Sequence, residues 1–323
     1  MEYTTLGETG MEVSRICLGC MSFGDGEPWM LEGEDADEIV DRAVDLGINF
    51  FDTANAYSGG ESERILGDAL SAYDRDEQVV ATKVFFPVED GPNRSGLSRK
   101  TVEQELDNSL DRLGMDCVDL YQIHRWDDDT PIEETLRALD DAVRRGKVRY
   151  LGASSMWAYQ FAEALHTSEV EHLERFATMQ NHYNVAYREE EREMLPLCER
   201  EAIGVVPWGP LGQGYLARPH EDLETTTRSD PSNVHNPTPE YGRAGGETVN
   251  ERVEELAEEY GVTMAQLSLA WLFSKEWVDA PIVGTTSVQH LEEAVEALDV
   301  DLSESDVAYL EEPYEPKPVI GHS

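Results

Sequence analysis

The sequence predicts an α/β protein, a (β/α)8 TIM barrel with an N-terminal β-hairpin and long loops at the C-terminal face of its strands. Short apolar runs alternate with segments whose apolar residues recur at helical spacing, and eight strand candidates are present. Strict alternation implies parallel strands joined by crossover helices. Eight such units close into a barrel.

A hairpin-like segment, "YTTLGETGMEVSRI" (3–16), opens the chain. The strand candidates that follow are "RICLGC" (15–20), "INFFD" (48–52), "QVVATKVF" (78–85), "DLYQIH" (119–124), "VRYLGASS" (148–155), "FATMQNHY" (176–183), "IGVVPW" (203–208) and "APIVGT" (280–285). Helix candidates between them are "DADEIVDRAVDLG" (35–47), a segment beginning near Glu61, "RKTVEQELDNSLDRLG" (99–114), "IEETLRALDDAVRRGK" (132–147) and "EEEREMLPLCERE" (189–201). A doubly wound open sheet is the competing architecture, but it would normally carry a G-x-G-x-x-G turn after its first strand, and none follows here.

We interpret the chain as one domain, 1–323, because barrels of this kind run to this length as single units and no internal repeat divides the sequence. One region breaks the alternation. Residues 209–246 are rich in Gly, Pro, Asn and Thr and have no clear periodicity. This predicts a lid or binding loop, with disorder as the alternative.

Acidic residues dominate the composition, with 67 Asp and Glu against 25 Lys and Arg and a formal net charge of −42. Such a charge repels phosphate backbones and anionic lipids, so nucleic-acid and membrane roles are disfavoured. The sequence shows no apolar run of ~18 residues and no export signal. We therefore expect a soluble, cytoplasmic protein. Because concentrated salt screens the repulsion among surface carboxylates, we further expect a salt-adapted (halophilic) cell, with an ordinary acidic cytosolic protein as the alternative.

Cys17 and Cys20 form a C-x-x-C pattern within a predicted buried strand and turn. No second pair and no nearby histidine completes a zinc site in the sequence. We therefore expect both side chains to pack in the core, and we predict no metal.

Polar residues stand where the predicted strands end, and barrel enzymes carry their chemistry at that rim. Lys83 lies among apolar neighbours, where an unpaired ammonium is costly, so Asp52 is its expected partner. A lysine beside Tyr57 would stabilise the phenolate and lower the pKa of the phenol towards working pH. His124 could hydrogen-bond a substrate oxygen or help deliver a proton. Each residue alone has a structural explanation, but their common position favours catalysis.

This set suits the reduction of a carbonyl, in which hydride reaches carbon while Tyr57 protonates the developing alkoxide. Side chains do not supply hydride, so a nicotinamide cofactor is implied. Ser154 and Gln180 could hold its carboxamide, and Trp208 could stack on its ring. The glycine-rich "GPLGQG" (209–214) could let the backbone approach its pyrophosphate.

Several motifs, in order along nearly the whole chain, resemble those of the aldo-keto reductases: "LGETGMEVSRICLGCMSFG", "NFFDTANAY", "ATKV", "DLYQIHRWDDD", "GASS", "MQNHYN", "PWGPLGQG" and "IVGTTSVQHLEE". The microbial branch that shares features with the β subunits of voltage-gated potassium channels is the most similar. The resemblance implies the catalytic set Asp52, Tyr57, Lys83 and His124. It also implies cofactor contacts from Gly19, Cys20, Met21, Asp52, Ser154, Gln180, Trp208, Leu211, Gln213, Gly214, Gly284, Thr286, His290 and Glu293.

The same resemblance favours NADP(H) over NAD(H) and a small carbonyl compound as substrate. His290 stands where the family often has an arginine, so the segment expected near the adenosine end offers no Lys or Arg. Phe85, Phe86 and Trp126 could line an apolar substrate pocket, with Arg125 available to an anionic group. The oligomeric state stays open.

Two other classes of protein are also consistent with parts of the sequence. A regulatory or sensor subunit on the same scaffold would bind the cofactor with little turnover, so an assay of carbonyl reduction separates it from an enzyme. A metal-dependent barrel hydrolase would use Asp52 and His124, but the neighbouring strand ends lack further clustered His and carboxylate ligands.

The net charge predicts that the melting temperature rises with KCl concentration. The Debye length shrinks from ~30 Å at 0.01 M salt to ~3 Å at 1 M, so repulsion among surface carboxylates is strongest in dilute salt. Thermal unfolding followed by circular dichroism across this range measures the effect. A melting temperature that is flat or falls with added KCl would contradict the hypothesis of salt adaptation.

Overall fold

The structure is a computed structural model that describes residues 1–26, 29–225 and 241–322. Its strands are β1 (Tyr3–Thr5), β2 (Glu12–Ser14), β3 (Cys17–Gly19), β4 (Phe50–Asp52), β5 (Val79–Val84), β6 (Val118–Ile123), β7 (Val148–Ser154), β8 (Phe176–Gln180), β9 (Gly204–Val205) and β10 (Ile282–Gly284). Its α-helices are α1 (Gly33–Asp45), α2 (Glu61–Leu70), α3 (Arg99–Leu113), α4 (Ile132–Arg144), α5 (Ala158–Glu171), α6 (Met194–Glu201), α7 (Gly246–Tyr260), α8 (Met264–Phe273), α9 (Val288–Glu296) and α10 (Glu304–Glu311).

The eight strands from β3 to β10 form one parallel sheet in the order β10, β3, β4, β5, β6, β7, β8, β9. Backbone hydrogen bonds join the two edges of this sheet, next to β9 and β10. Asp279 N donates to Val205 O at 3.0 Å, and Ile282 N donates to Pro207 O at 2.8 Å. The strands β1 and β2 pair antiparallel and form a separate two-stranded sheet. The predicted (β/α)8 barrel with an N-terminal hairpin is confirmed.

The helices form where the sequence pattern places them, with apolar residues facing the sheet. In α4, for example, Leu136 and Leu139 are fully buried while Glu133 and Glu134 are exposed. The predicted helix over 189–201 is divided: a short 3-10 turn spans Glu189–Arg192, and α6 begins only at Met194. The prediction of one continuous helix is wrong here, and the physical reason is that the carboxylates of Glu189 and Glu190 point inward and are buried.

The hairpin covers the end of the barrel at which the parallel strands begin. Leu6 and Val13 lie in a buried cluster with Cys17 and Phe50 from inside the sheet. A cavity of about 580 Å³ also lies at this end, between the hairpin and the starts of β4 and β5. It is remote in the fold from the strand ends that carry the predicted catalytic residues.

Three further sequence predictions concern the two cysteines, the lid and membrane-spanning segments. Cys17 and Cys20 are fully buried, as expected for packing, and burial raises the pKa of both thiols. The predicted lid, 209–246, is described only in part: Gly212–Ala217 and His220–Thr225 form 3-10 turns, and 226–240 lies outside the described residues. Within the described ranges, no helix is both long and apolar enough to cross a membrane.

Candidate active site

The strand ends bring distant parts of the sequence to one rim of the barrel. The register pairs Gly19 with both Gly284 and Asp52, and Ser154 with Gln180. Because all eight strands run in the same direction, their C-terminal residues meet at the same edge. Five of the residues predicted to form the site therefore lie on this rim.

A buried ion pair occupies the centre of the rim. Lys83 Nζ lies 2.5 Å from Asp52 Oδ1, and the two side chains are only 0% and 3% exposed. The same ammonium donates to the carbonyl oxygen of Thr53 at 2.9 Å. Burial alone would lower the pKa of Lys83, but Asp52 and, to a smaller extent, Tyr57 raise it, so the lysine stays charged.

Two glutamines complete the environment of the Asp52 carboxylate. The Nε2 atoms of Gln122 and Gln180 each donate to Asp52 Oδ2 at 2.9 Å. Sequence reasoning assigned Gln180 to the cofactor and did not identify Gln122. The signal was present, because Gln122 is a polar residue in the middle of a buried strand and lies beside Lys83 in the register.

The chain between Asp52 and the start of α2 returns Tyr57 towards the lysine. Tyr57 Oη accepts a hydrogen bond from Lys83 Nζ at 3.3 Å. The next residue, Ser58, adopts a left-handed backbone (φ 49°), and its hydroxyl donates to the Phe23 carbonyl at 2.9 Å. Asp52 and Tyr57, five residues apart, therefore both contact the same ammonium, and the Ser58 contact anchors the chain directly after Tyr57.

The pKa of Tyr57 departs from the prediction. Burial raises it above its usual value, and the nearby Lys83 ammonium offsets this only in part. The expectation that Lys83 would bring the phenol towards working pH is therefore wrong for the protein without ligand. The physical reason is that desolvation of a phenolate outweighs one lysine whose charge is already paired with Asp52.

His124 stands beside Tyr57, with ring centres 5.8 Å apart, and beside Phe86, at 4.9 Å. Burial, and then the positive charges of Lys83 and Arg125, hold the pKa of His124 well below its usual value. The imidazole is therefore neutral at physiological pH. A neutral ring can hydrogen-bond a substrate oxygen but holds no additional proton to deliver.

Trp208 is fixed by contacts that the sequence did not predict. The ring of His182 stacks on it at 4.2 Å with an angle of 10°, and Tyr187 stacks on the far side of His182 at 4.1 Å. Trp208 Nε1 donates to Ser155 Oγ at 2.9 Å. Burial, then the charges of His322 and Lys317, lowers the pKa of His182 to about 3, so a neutral imidazole supports one face of Trp208.

The remaining predicted cofactor residues lie near the strand ends and on α9. Cys20 N donates to Asp52 O at 2.9 Å. Met21 is 44% exposed, and Leu211 is partly buried against the core. Thr286 and His290 are exposed, whereas Glu293 accepts a hydrogen bond from Gln289 at 2.8 Å on α9. The described contacts do not join these α9 residues to the "GPLGQG" turn.

The rim has features that suit a nicotinamide dinucleotide. Gln213 and Gly214 adopt left-handed backbones (φ 57° and 97°), and the missing side chain of the glycine allows close approach to the turn. Two buried polar atoms at the strand ends, His124 Nδ1 and Asn181 Oδ1, have no hydrogen-bond partner among the described residues. Such atoms are costly unless a ligand or water satisfies them.

The three residues predicted to line a substrate pocket are only partly brought to the rim. Phe86 is 37% exposed beside His124, and Phe85 contacts it edge to face at 5.1 Å. Trp126 packs against the main core cluster. A tail formed by residues 314–322 adds a wall that sequence reasoning missed.

The tail is held by two buried glutamates. Glu189 Oε1 accepts from Tyr314 Oη and from Lys317 N, each at 2.6 Å, and Glu190 Oε1 lies 3.1 Å from His322 Nε2. Gly321 then approaches Trp208: a methyl group at this glycine would lie 3.2 Å from Cζ2 of the indole. The end of the tail therefore borders the mouth of the site.

A (β/α)8 barrel with a polar rim of this kind is shared by a known class of oxidoreductases. The model of the Aldo/keto reductase family matches residues 15–315. The chain belongs to this family and is an oxidoreductase.

Curated relatives cover nearly the whole chain. An aldo-keto reductase of Metarhizium robertsii is 42% identical over 349 residues, covering 100% of this chain and 94% of the relative. An aldo-keto reductase of Alternaria alternata is 41% identical over 348 residues, covering 99% and 94%. Versiconal hemiacetal acetate reductase of Aspergillus parasiticus is 38% identical over 340 residues, covering 99% and 98%.

Within the described residues, no group of three or more His, Cys, Asp or Glu side chains could hold a metal ion.

The ion pair predicts a large loss of stability when only one partner is removed. Lys83→Met leaves the Asp52 carboxylate buried without a counter-charge, which should lower the free energy of unfolding by ~3–5 kcal/mol. The double variant D52N/K83M removes both charges and should recover most of that loss. Urea unfolding at constant high KCl measures all three proteins.

The exposed pair of Arg137 and Glu171 provides a matched control. Its N–O distance is also 2.5 Å, but the side chains are 48% and 40% exposed. Arg137→Met should therefore lower the free energy of unfolding by at most ~1 kcal/mol. Equal losses of unfolding free energy in Lys83→Met and Arg137→Met would contradict the prediction that the buried pair is more costly to break than an exposed pair.

Proposed function

We propose that the protein is an NAD(P)H-dependent reductase that converts aldehyde or ketone carbonyls to alcohols. The observation that carries this proposal is the contact of one buried ammonium, Lys83, with both the Asp52 carboxylate and the Tyr57 hydroxyl. The family membership supports the oxidoreductase class, and the reductase names of the relatives support reduction of a carbonyl.

Tyr57 is the proposed general acid. Its raised pKa keeps the proton on the phenol at neutral and mildly alkaline pH, so the group is present as a donor. Lys83, held charged by Asp52, stabilises the phenolate that remains once the proton has moved to the substrate oxygen. His124, which is neutral, orients the carbonyl oxygen by a hydrogen bond.

The bound nicotinamide would supply the hydride that the side chains lack. Trp208 provides a flat surface for a ring, with His182 fixed behind it. Ser154 and Gln180 are the proposed contacts of the carboxamide, and the turn containing Gln213 and Gly214 is the proposed contact of the pyrophosphate. The other proposed cofactor contacts are Gly19, Cys20, Met21, Asp52, Leu211, Gly284, Thr286, His290 and Glu293.

We further propose NADP(H) rather than NAD(H) as cofactor, a small-molecule carbonyl substrate lying against Phe86, and a cytoplasmic location in a salt-adapted cell. The family generally uses nicotinamide cofactors, and the choice of NADP(H) among them is a proposal that rests on the sequence resemblance. The acidic composition supports the last part. The one-domain organisation of 1–323 and the lid at 209–246 also stay predictions.

The Tyr57→Phe variant tests the mechanism. Phenylalanine keeps the packing of the ring and removes the proton donor, so carbonyl reduction should fall by ~10²–10⁴-fold while nucleotide binding persists. Consumption of NADPH with a panel of aldehydes and ketones measures the rate, and fluorescence quenching measures binding.

Near-normal turnover by this variant would exclude Tyr57 as the acid. If the wild-type protein binds NADPH tightly but reduces no member of the panel, the protein belongs to the sensor class instead. Tyr3→Phe is a suitable control, because Tyr3 lies on the hairpin at the opposite end of the barrel.

The preference for NADPH should be modest. His290 stands where the family often has a permanently charged arginine, so discrimination against NADH should depend on an imidazole and neighbouring hydroxyl groups rather than on a fixed cation. Dissociation constants for both nucleotides, measured in constant KCl, give this margin.

The His290→Ala variant isolates the contribution of the imidazole. The preference for NADPH over NADH should be smaller in this variant than in the wild type. An unchanged preference would refute the role of His290, and a clear preference for NADH in the wild type would overturn the cofactor assignment.

A further inference from the structure

We propose that Arg125 forms an anion-binding subsite of the substrate pocket, and that the enzyme therefore favours aromatic aldehydes that carry a carboxylate on the ring. This inference rests on the proposed carbonyl reductase function and specifies its substrate class.

Arg125 is held at the rim directly after His124. Its Nη1 donates to the carbonyl oxygen of His124 at 2.6 Å, and its guanidinium carbon lies 5.5 Å from the centre of the Phe86 ring. The side chain is half-buried. A guanidinium over an aromatic face is attracted by the ring electrons, so the charged group is fixed beside the residues proposed to meet the carbonyl.

The guanidinium has no carboxylate partner within 4.0 Å in residues 1–26, 29–225 and 241–322. Two arginines that are buried more deeply are neutralised: Arg112 lies 2.5 Å from Glu63, and Arg188 lies 2.7 Å from Glu191. Within the described residues, Arg15 and Arg218 are also half-buried without a carboxylate within 4.0 Å, but Arg125 differs from them in lying directly after His124 at the rim. Partly burying an uncompensated charge is costly, which suggests that a ligand supplies the counter-charge.

The acidic residue nearest along the chain is engaged elsewhere. Asp127 Oδ2 accepts from Leu97 N and from Thr130 Oγ1, each at 2.7 Å, and Oδ1 accepts from Asp129 N at 3.0 Å. This carboxylate thus caps the turn that follows Trp126. The local sequence "HRWDDD" offers an ion pair that the fold does not form.

Arg125 acts electrostatically on both residues proposed to meet the carbonyl. It contributes, after burial and Lys83, to the lowered pKa of His124, and it is among the groups that lower the pKa of Tyr57 against the effect of burial. Arginine itself stays protonated in proteins. A substrate that reaches Tyr57 therefore meets a permanent positive charge close to its reacting end.

The surroundings of the guanidinium favour a flat ring. A methyl group at Gly321 would lie 4.0 Å from Arg125 Nη2 and 3.2 Å from Trp208 Cζ2, so the arginine and the indole border the same mouth. Phe86 is 37% exposed, and Trp157, which contacts His322 next to Gly321, is 42% exposed. Aromatic surface on both sides suits an aryl group, and the planar fork of the guanidinium suits a carboxylate.

A purely structural role would be to fix the end of β6 through the bond to the His124 carbonyl. The two roles differ in their effect on substrate discrimination.

4-Carboxybenzaldehyde and its methyl ester have a similar shape and differ in one charge. The corresponding 3-substituted pair tests a second position of the carboxylate on the ring. The ratio of kcat/KM for acid over ester, at constant KCl, isolates the charge from general effects on folding or rate.

We expect the wild type to favour the acid of at least one pair by about 10- to 100-fold. In Arg125→Met the ratio should fall to about one or below, because the remaining charges of the protein repel an anion. Arg125→Lys should restore part of the ratio. Arg137→Met, an exposed arginine on α4, should leave the wild-type ratio unchanged. Equal ratios in the wild type and Arg125→Met would overturn the subsite.

A binding measurement separates this proposal from the proposed function. Terephthalate has the outline of 4-carboxybenzaldehyde but no aldehyde, and titration calorimetry with the NADP⁺-loaded protein gives its affinity. Terephthalate binding that is at least about tenfold weaker in Arg125→Met than in the wild type supports the subsite. If no aldehyde is reduced, the proposed reductase function fails, but this binding result would still support the subsite. Equal affinities in both proteins would refute the subsite whatever the turnover.

Discussion

The ion pair between Lys83 and Asp52 is the constraint on which the rest of the rim depends. Two charges can be buried this deeply only if the surrounding groups satisfy their remaining hydrogen bonds. Here the pair and its two amide donors come from four strands: Asp52 from β4, Lys83 from β5, Gln122 from β6 and Gln180 from β8. The pair contributes little net stability in such a setting. It instead holds the charged ammonium beside Tyr57.

The sequence alone was sufficient to predict the barrel and the catalytic candidates at the centre of its rim, because both follow from short-range patterns. Alternating strands and helices determine that strand ends meet at one rim, so Asp52, Lys83 and His124 could be placed together without coordinates. The direction of the pKa shift of Tyr57 could not be predicted in the same way. It depends on how far water is excluded from the phenol, and burial exceeds the influence of a single neighbouring charge.

Contacts between segments far apart in the chain were also missed. His182 stacks on Trp208, and residues 314–322 reach Glu189 and Glu190 from more than 120 positions away. The segment "EEEREMLPLCERE" (189–201) predicts one continuous helix, because its composition is typical of one. Two of its carboxylates instead point inward to hold the tail, and a local pattern contains no signal for such a distant partner.

The tail that borders the site determines where foreign sequence can be attached to this protein. The family match ends at residue 315, whereas Gly321 approaches Trp208 and His322 contacts Trp157 at the mouth. A bulky group attached at His322 would therefore lie beside the proposed nicotinamide surface and would compete with small molecules for entry. The hairpin end is the better choice, because Met1 is exposed at the opposite end of the barrel.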